Sequence, residues 1–299
     1  MAKRETFMRY SLIIKKVRNS QPTFKEIVDY LKMESELQEY DFHISKRTFL
    51  RDIKDISSLF NIDIRYNFSK KVYYIENDED PQANERILEA FDIFNALNIT
   101  DRVSNYIHFE KRRSQGTEHL HGILHAIKNR VKISFTYYKY WENDFSKRNV
   151  EPYALKEFRS RWYLLAKDLD DNVVKKFGLD RISELTITRH KFKILKEFNV
   201  NDLFRNCFGI ITPVKEKLQE VELLFTAFQG RYIKSMPLHE SQQIIVDNEN
   251  ELRVKLKIYV THDFIMELLS FGANVKVIKP NNLIDELKEA YEEALEQYK

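Results

Sequence analysis

The chain has 299 residues, of which 43% are hydrophobic and 32% charged, and this composition is typical of a globular protein with two or three domains. A single cysteine excludes an intrachain disulfide, and no apolar run approaches the ~20 residues of a membrane helix. The start, MAKRETFMRY, lacks the apolar run of a signal peptide, so we expect a cytoplasmic protein with no membrane partner. The net charge is only +3, but residues 1–75 hold 15 Lys and Arg against 10 Asp and Glu, so the basic excess lies at the N-terminus.

The segment before residue 61 has the periodicity of three helices. The second begins at a capping box, in which Thr23 and Glu26 satisfy each other's free backbone N–H groups, and a polar loop is expected around residues 34–41. Ser45 is placed to cap the third helix. The first helix has an apolar stripe at helical spacing, made of Phe7, Tyr10, Ile13, Ile14 and Val17.

The third helix, SKRTFLRDIKDISSLF, has two contrasting faces. One is an apolar stripe with Phe49 and Ile56, and the opposite one is basic and hydroxylic. Beyond it, residues 62–66 and 72–74 alternate as two strands of a hairpin. Three helices and a hairpin in this order predict a winged helix-turn-helix over residues 1–78.

We expect this domain to bind double-stranded DNA at an operator. Arg47 and Arg51 are placed to reach base edges or phosphates in the major groove, while the hairpin tip holds the flanking backbone. The alternative is a solvated charged helix beside a hairpin, without a function of its own. The predicted DNA-binding set is Ser45, Lys46, Arg47, Thr48, Arg51, Lys54, Lys70 and Lys71.

Residues 79–130 are predicted to form a helical linker. An apolar stripe on this linker has no place in the core of either neighbouring domain, so it needs a partner, and a second copy of the chain is the simplest one. We therefore expect a homodimer. The stripe consists of Ile87, Ala90, Phe91, Phe94 and Leu97.

Residues 131–200 are predicted to form a small antiparallel β-barrel of the Sm/SH3-like kind. The stretch 151–185 alternates aromatic and aliphatic positions between spaced turns. One strand face carries Trp162, Leu164 and Ala166 as core, and Arg161, Tyr163 and Leu165 point to the other face. One face is therefore core and the other a candidate site.

Three blocks of this stretch carry a family resemblance. They are PYAL at residues 152–155, RSRWYL at 159–164 and FGLDRI at 177–182, and together they resemble the signature of a WYL domain. Residues 45–75 likewise resemble the wing-bearing DNA-binding domain that precedes the WYL domain in many bacterial transcriptional regulators. The resemblance implies a ligand sensor coupled to a DNA-binding domain.

The barrel has a dense set of cationic and aromatic side chains. Arginine forks match phosphate oxygens and aromatic rings stack on bases, so this set suits a nucleotide or a short single-stranded nucleic acid, as the resemblance also implies. The alternative is a solvated strand face whose arginines pair with nearby carboxylates, namely Glu151, Glu157, Asp168 and Asp180. The predicted ligand-binding set is Tyr137, Tyr153, Arg159, Arg161, Tyr163, Lys176 and Arg181, and Tyr138 and Lys175 lie beside it.

The C-terminal residues 201–299 alternate as strand, helix, two strands, helix and strand, followed by a terminal helix. This order predicts a ferredoxin-like sandwich, and it resembles the extension found after many WYL domains. The whole chain is thus expected to be an α+β multidomain protein.

Enzymatic chemistry has little support in the sequence. There is no glycine-rich phosphate loop, nucleophile elbow or HExxH motif, and we expect neither catalytic residues nor a cofactor. Glu118, His121 and His125 share a helix face as metal ligands can, but no flanking motif supports a metal there. Cys207 is interpreted as a small apolar residue.

Together these features predict a homodimeric, sequence-specific transcriptional regulator, a repressor or a ligand-switched one, that senses a nucleotide or nucleic-acid effector. A second class remains open. The chain would then be a regulatory or scaffold subunit that binds no DNA and controls a partner protein through ligand binding.

Overall fold

The structure, a computed structural model, describes residues 3–38, 40–81, 83–90, 115–193 and 198–299. The chain divides into two compact units, residues 1–111 and 112–299. Helices and three antiparallel sheets make up the described residues, which confirms a multidomain α+β protein. None of the helices described is long and apolar enough to span a bilayer.

The first unit begins with three helices: α1 (Lys3–Asn19), α2 (Phe24–Gln38) and α3 (Lys46–Phe60). The capping box of α2 is confirmed, since the backbone N–H of Thr23 donates to a Glu26 carboxylate oxygen at 2.7 Å and that of Glu26 to the Thr23 hydroxyl at 3.3 Å. The loop predicted at residues 34–41 is wrong for its first half. There α2 continues to Gln38, whose amide donates to Glu34 one turn earlier at 2.6 Å.

A hairpin, β1 (Ile62–Asn67) and β2 (Val72–Asp78), follows α3, and residues 83–90 are helical (α4). The helices and the hairpin bury one apolar core, to which α4 contributes Leu88. Asn84 holds α4 to the end of α3 and to the hairpin, because its side-chain amide donates to the Phe60 carbonyl at 2.9 Å and to Asp78 at 2.6 Å.

The second unit opens with a five-stranded antiparallel sheet in the order β6-β5-β4-β3-β7. Helix α5 packs on one face of it, where Ile123 and Ala126 meet Leu164 and Ala166 as the alternation predicts. The elements are a 3-10 turn (Thr117–His119), α5 (Leu120–Asn129), β3 (Val131–Lys139), β4 (Asp144–Phe158), β5 (Arg161–Asp168), β6 (Val174–Gly178), a 3-10 turn (Leu179–Arg181) and β7 (Ile182–Lys191).

The opposite face of β5 is not a free surface along its whole length. Leu165, expected to point away from the core, is fully buried in a second cluster with Phe204 and Cys207. The chain that follows the sheet folds back over this face, and sequence alternation alone does not reveal such a covering segment. Cys207 is buried as an apolar residue, as predicted, and burial raises the pKa of its thiol.

The remaining residues form a four-stranded antiparallel sheet in the order β11-β8-β10-β9. Strand, helix, two strands, helix and strand follow one another in the predicted order. The elements are α6 (Val200–Phe204), β8 (Leu218–Thr226), α7 (Ala227–Ser235), β9 (Gln243–Asp247), β10 (Glu251–Tyr259), α8 (His262–Ser270), a 3-10 turn (Gly272–Asn274), β11 (Val275–Lys279) and α9 (Asn281–Glu296).

Candidate functional site

Helix α3 is fixed in the first unit by a buried ion pair as well as by apolar contacts. Arg9 of α1 donates from Nε and Nη2 to the two oxygens of Asp52, at 2.7 and 3.1 Å, and both side chains are 0% exposed. Phe49 and Ile56 are buried on the same side of α3. No sequence pattern indicates this pair, because an arginine next to the apolar stripe of α1 cannot be distinguished from a surface arginine.

The opposite side of α3 is basic, as predicted. Arg47, Arg51 and Lys54 are exposed. Within the described part of the chain, neither Arg47 nor Lys54 has a side-chain hydrogen bond or ion pair, and Arg51 only approaches Asp52 at 4.0 Å. These cations are therefore available to a partner without first breaking an internal contact.

The N-terminal turn of α3 is capped as predicted. The Ser45 hydroxyl accepts from the backbone N–H of Thr48 at 3.1 Å, and the two hydroxyls lie 3.0 Å apart. Both side chains therefore fix the start of the helix. A cap of this kind also directs the free N–H groups of the first turn outward, where anions bind.

Lys46, predicted to belong to the DNA-binding set by helping to position the third helix, makes internal contacts in the structure. Its ammonium donates to the Tyr73 hydroxyl and lies 4.3 Å from the Phe24 ring centroid and 4.7 Å from that of Tyr73. These contacts join α3 to α2 and to the hairpin. Lys46 thus positions the basic helix against the hairpin.

The hairpin tip is a short ordered turn that exposes two lysines. The Asn67 side-chain oxygen accepts from the backbone N–H groups of Ser69 and Lys70, each at 3.0 Å. Lys71 has φ 58°, in the left-handed region, which closes the turn. The ammonium groups of Lys70 and Lys71 have no partner among the described residues, so the tip presents two available cations.

Only part of the stripe predicted to form the dimer contact can be placed. Ile87 is 44% exposed, and Ala90 is exposed beside it. Phe91, Phe94 and Leu97 lie outside the described residues. The homodimer remains a prediction.

In the second unit, four of the predicted ligand-binding residues come together around Gly178. The Gly178 N–H donates to the Tyr137 hydroxyl at 3.2 Å, and Tyr163 is its ladder partner in β5. The Arg181 guanidinium lies 4.9 Å from the Tyr137 ring centroid. Arg161 Nη1 is 3.5 Å from Asp180, so two arginines and two tyrosines surround one glycine. We call this set, with Asp180, the Gly178 cluster.

The electrostatics of the Gly178 cluster favour an anionic ligand. Burial raises the pKa of the Tyr137 and Tyr163 hydroxyls, which keeps both as neutral hydrogen-bonding groups at physiological pH. The buried Nε of Arg181 has no hydrogen-bond partner among the described residues. Asp180 is the carboxylate that such a ligand would displace from Arg161.

The other three predicted ligand-binding residues lie apart from this cluster. Arg159, at the β4–β5 turn, forms an ion pair with Glu267 of α8. Lys176 donates to the Thr212 hydroxyl at 2.6 Å, and burial lowers the pKa of its ammonium. Tyr153 is buried between the rings of Phe192 and Phe198.

A cleft of about 500 Å³ opens beside Tyr137, and Arg148 and Lys175 are among the residues that line it. Asp168 is fully buried, and it accepts from Arg148 at 3.1 Å and from Lys175 at 2.8 Å. These two cations are thus bound internally, although Lys175 belonged to the dense cationic set of the sequence.

The helix face with Glu118, His121 and His125 is not organised as a metal site in the part of the chain that the structure describes. His125 Nδ1 lies 3.3 Å from the Asn129 amide, and Glu118 lies beside His119 at 3.9 Å.

Family comparisons match the two domains of the second unit. The chain contains a WYL domain, matched over residues 118–187, and a WCX domain, matched over residues 217–295. The Gly178 cluster lies within the WYL domain.

Two solved structures resemble this chain at low identity. One is proteasome accessory factor B/C (PafBC) of Arthrobacter aurescens, at 17% identity and a TM-score of 0.33, with 96% of this chain and 46% of that chain covered. The other is a CRISPR Cas-related protein, at 12% identity and a TM-score of 0.39, with 98% and 84% covered. This chain therefore spans less than half the length of the PafBC chain. No curated protein matches it.

Proposed function

We propose that this protein is a sequence-specific DNA-binding transcriptional regulator, acting as a repressor, whose WYL domain senses a nucleotide or nucleic-acid ligand. In this proposal α1–α3 and the β1–β2 hairpin form a winged helix-turn-helix. The five-stranded sheet is a small Sm/SH3-like barrel, and the C-terminal sheet with α7 and α8 is a ferredoxin-like domain. The chain works as a homodimer in the cytoplasm and has no catalytic activity.

One observation carries the DNA-binding part of the proposal. On the exposed face of α3, Arg47 and Lys54 have no side-chain partner among the described residues, and the Arg9–Asp52 pair fixes the helix from behind. The major groove admits an α-helix, and side chains on its outer face reach base edges. The lysines of the hairpin tip are suited to the phosphates beside the groove.

The sensing part rests on the Gly178 cluster. Arg161 and Arg181 supply planar forks for phosphate oxygens, and the hydroxyls of Tyr137 and Tyr163 supply neutral donors. A ligand changes DNA binding only if it prefers one arrangement of the protein over another.

The experiment that tests this function is footprinting on the DNA upstream of the protein's own coding region, with and without short oligonucleotides. A protected site whose occupancy changes with oligonucleotide is the expected result. Absence of protection at moderate salt would contradict DNA binding.

That outcome would favour the second class of function, a regulatory subunit that acts on a partner protein. The observation in its favour is a set of exposed apolar side chains on helix α7, directly after it and on strand β9. They are Phe228, Tyr232, Met236 and Ile244.

A further inference from the structure

The hairpin between β3 and β4 exposes aromatic side chains to water. Trp141 is 100% exposed, Phe145 63% and Tyr140 56%. Aromatic side chains bury on the order of 150–250 Å² each in cores and interfaces, so three exposed rings on one hairpin are not explained by folding. They are expected to gain their burial from a ligand.

These rings are held on an ordered scaffold. Tyr138 and Phe145 are directly opposite in the ladder and stack with their centroids 4.8 Å apart. The Tyr138 hydroxyl donates to Asn143, and Lys139 pairs with Glu142 at 2.6 Å. A ligand that stacks here therefore pays little entropy to order the hairpin.

The exposed rings continue directly from the Gly178 cluster. The Arg181 guanidinium lies 4.9 Å from the ring centroid of buried Tyr137 and also 4.9 Å from that of Tyr140. Tyr140 meets Tyr138 edge-on at 5.5 Å. A cation for phosphate and a series of rings for bases thus lie side by side.

The acidic groups near the hairpin do not oppose an anionic ligand strongly. Glu142 is neutralised by Lys139, and Asp144 accepts from the backbone N–H of Phe145 at 2.8 Å. A purely apolar partner would gain nothing from Arg181. A nucleic acid can bind both the exposed rings and Arg181, because every base has a face that stacks on a ring and every linkage between nucleotides has a phosphate.

We propose that the β3–β4 hairpin is a base-stacking platform, and that the ligand of this WYL domain is a single strand of several nucleotides rather than a mononucleotide. The inference rests on the proposed sensing function and narrows its ligand. Tyr140 and Trp141 stack on bases, and Arg181 binds a neighbouring phosphate.

The test is titration of the full chain with a labelled oligothymidylate of about 10 nucleotides, within the range that single-strand-binding domains cover. Trp141→Ala and Tyr140→Leu are each expected to weaken binding about 5- to 150-fold, the range for loss of one stacked base. The matched control is Phe228→Ala, since Phe228 is 65% exposed but lies on α7, outside the platform. That control should bind as the wild type does.

Salt separates the two kinds of contact. One phosphate contact contributes about 0.7 to the slope of log affinity against log salt for single strands. Arg181→Gln should therefore flatten the slope by about that amount, whereas Trp141→Ala should leave it unchanged. Trp141 is one of only two tryptophans, so the oligonucleotide should also quench a fluorescence component that Trp141→Ala lacks.

The contrary outcomes are distinct. If the Trp141 and Tyr140 variants bind the oligonucleotide as the control does, or if thymidine monophosphate binds as tightly as the oligonucleotide, the platform is refuted while sensing survives. If no single strand or mononucleotide binds the wild type, both proposals fall. If the quenching follows protein concentration without added oligonucleotide, the rings contact a second copy of the chain instead.

Discussion

The cationic side chains of the two units differ in what they contact. On α3 and the first hairpin, Arg47, Lys54 and the tip lysines have no internal side-chain partners within the described ranges. In the second unit, Arg159 is paired with Glu267, and Arg161 with Asp180. Both regions looked alike in the sequence, as basic residues on an amphipathic element.

This difference separates two modes of binding. An exposed cation without a partner can bind phosphate without first breaking an ion pair, and its contribution to binding is long-ranged and salt-dependent. A paired cation must give up its carboxylate before it binds the ligand, so the net gain in binding free energy is smaller. Such a site therefore binds only ligands that compete successfully with the carboxylate. Under the proposed function, the first unit would bind a polyanion tightly, and the second would respond only to a ligand that displaces the internal carboxylate.

The largest effect is expected at the ion pair beneath the basic helix. Asp52→Ala deprives the buried Arg9 guanidinium of its carboxylate, which should destabilise the first unit by about 3–5 kcal/mol. Chemical denaturation measures the loss. Glu76→Ala is the control, because it removes the exposed partner of Arg65 and should cost about 1 kcal/mol or less. Equal losses in the free energy of unfolding would show that burial does not determine how much these ion pairs contribute to stability.

The elements and their order along the chain were largely predictable from the sequence, because they follow from local periodicity and capping. The capping box of α2 and the Ser45 cap are examples, as each needs only residues three positions apart. The extension of α2 to Gln38 was missed, because polar side chains that bond within a helix look like loop residues. The covering of Leu165 was missed because it depends on a segment about 40 residues later.

The structure brings together only part of the predicted ligand-binding set, since four residues lie around Gly178 and three lie apart from it. Around Gly178, the tyrosines and arginines were identified from composition and resemblance. The internal contacts of Lys46 and Lys176 were not predicted. Each ammonium donates to a hydroxyl that is distant in the sequence, that of Tyr73 or Thr212. The exposed rings at Trp141 were also overlooked, although YKYWENDF is an aromatic-rich turn in the sequence itself.

The next largest effect concerns the exposed cations of α3 and the hairpin tip. Arg47→Ala and Arg51→Ala should each weaken operator binding by about 1–3 kcal/mol and relax specificity where the side chain reads a base. Lys71→Ala should instead weaken all sequences alike and flatten the salt dependence by about one phosphate contact. Titration of operator and random duplexes at several salt concentrations distinguishes these cases. Unchanged binding in both arginine variants would exclude α3 as the recognition helix.

A third effect tests coupling through the Gly178 cluster. A ligand preference of about 1–3 kcal/mol changes operator affinity about 5- to 150-fold. Arg181→Ala should remove most of that response, because the buried Nε of this guanidinium has no hydrogen-bond partner in the part of the chain that the structure describes. Operator titration with and without oligonucleotide measures it, with each variant's ligand-free affinity as its own reference. A full response in the variant would make Arg181 a structural residue.

The smallest effect isolates the internal competition itself. Asp180→Asn keeps the shape of the side chain but removes the charge that pairs with Arg161, so an anionic ligand no longer has to displace it. The pair is partly exposed, so the gain should be modest, about 0.2–1 kcal/mol, or up to roughly fivefold tighter binding of the oligonucleotide.

Glu267→Gln is the matched control, since it frees Arg159 in the same way at a point away from the Gly178 cluster, and it should leave affinity unchanged. If Glu267→Gln tightens binding as much as Asp180→Asn does, Arg159 belongs to the ligand site after all, as the sequence predicted. If neither does, paired cations in the second unit are no less available than the unpaired ones of the first, and the contrast between the two units fails.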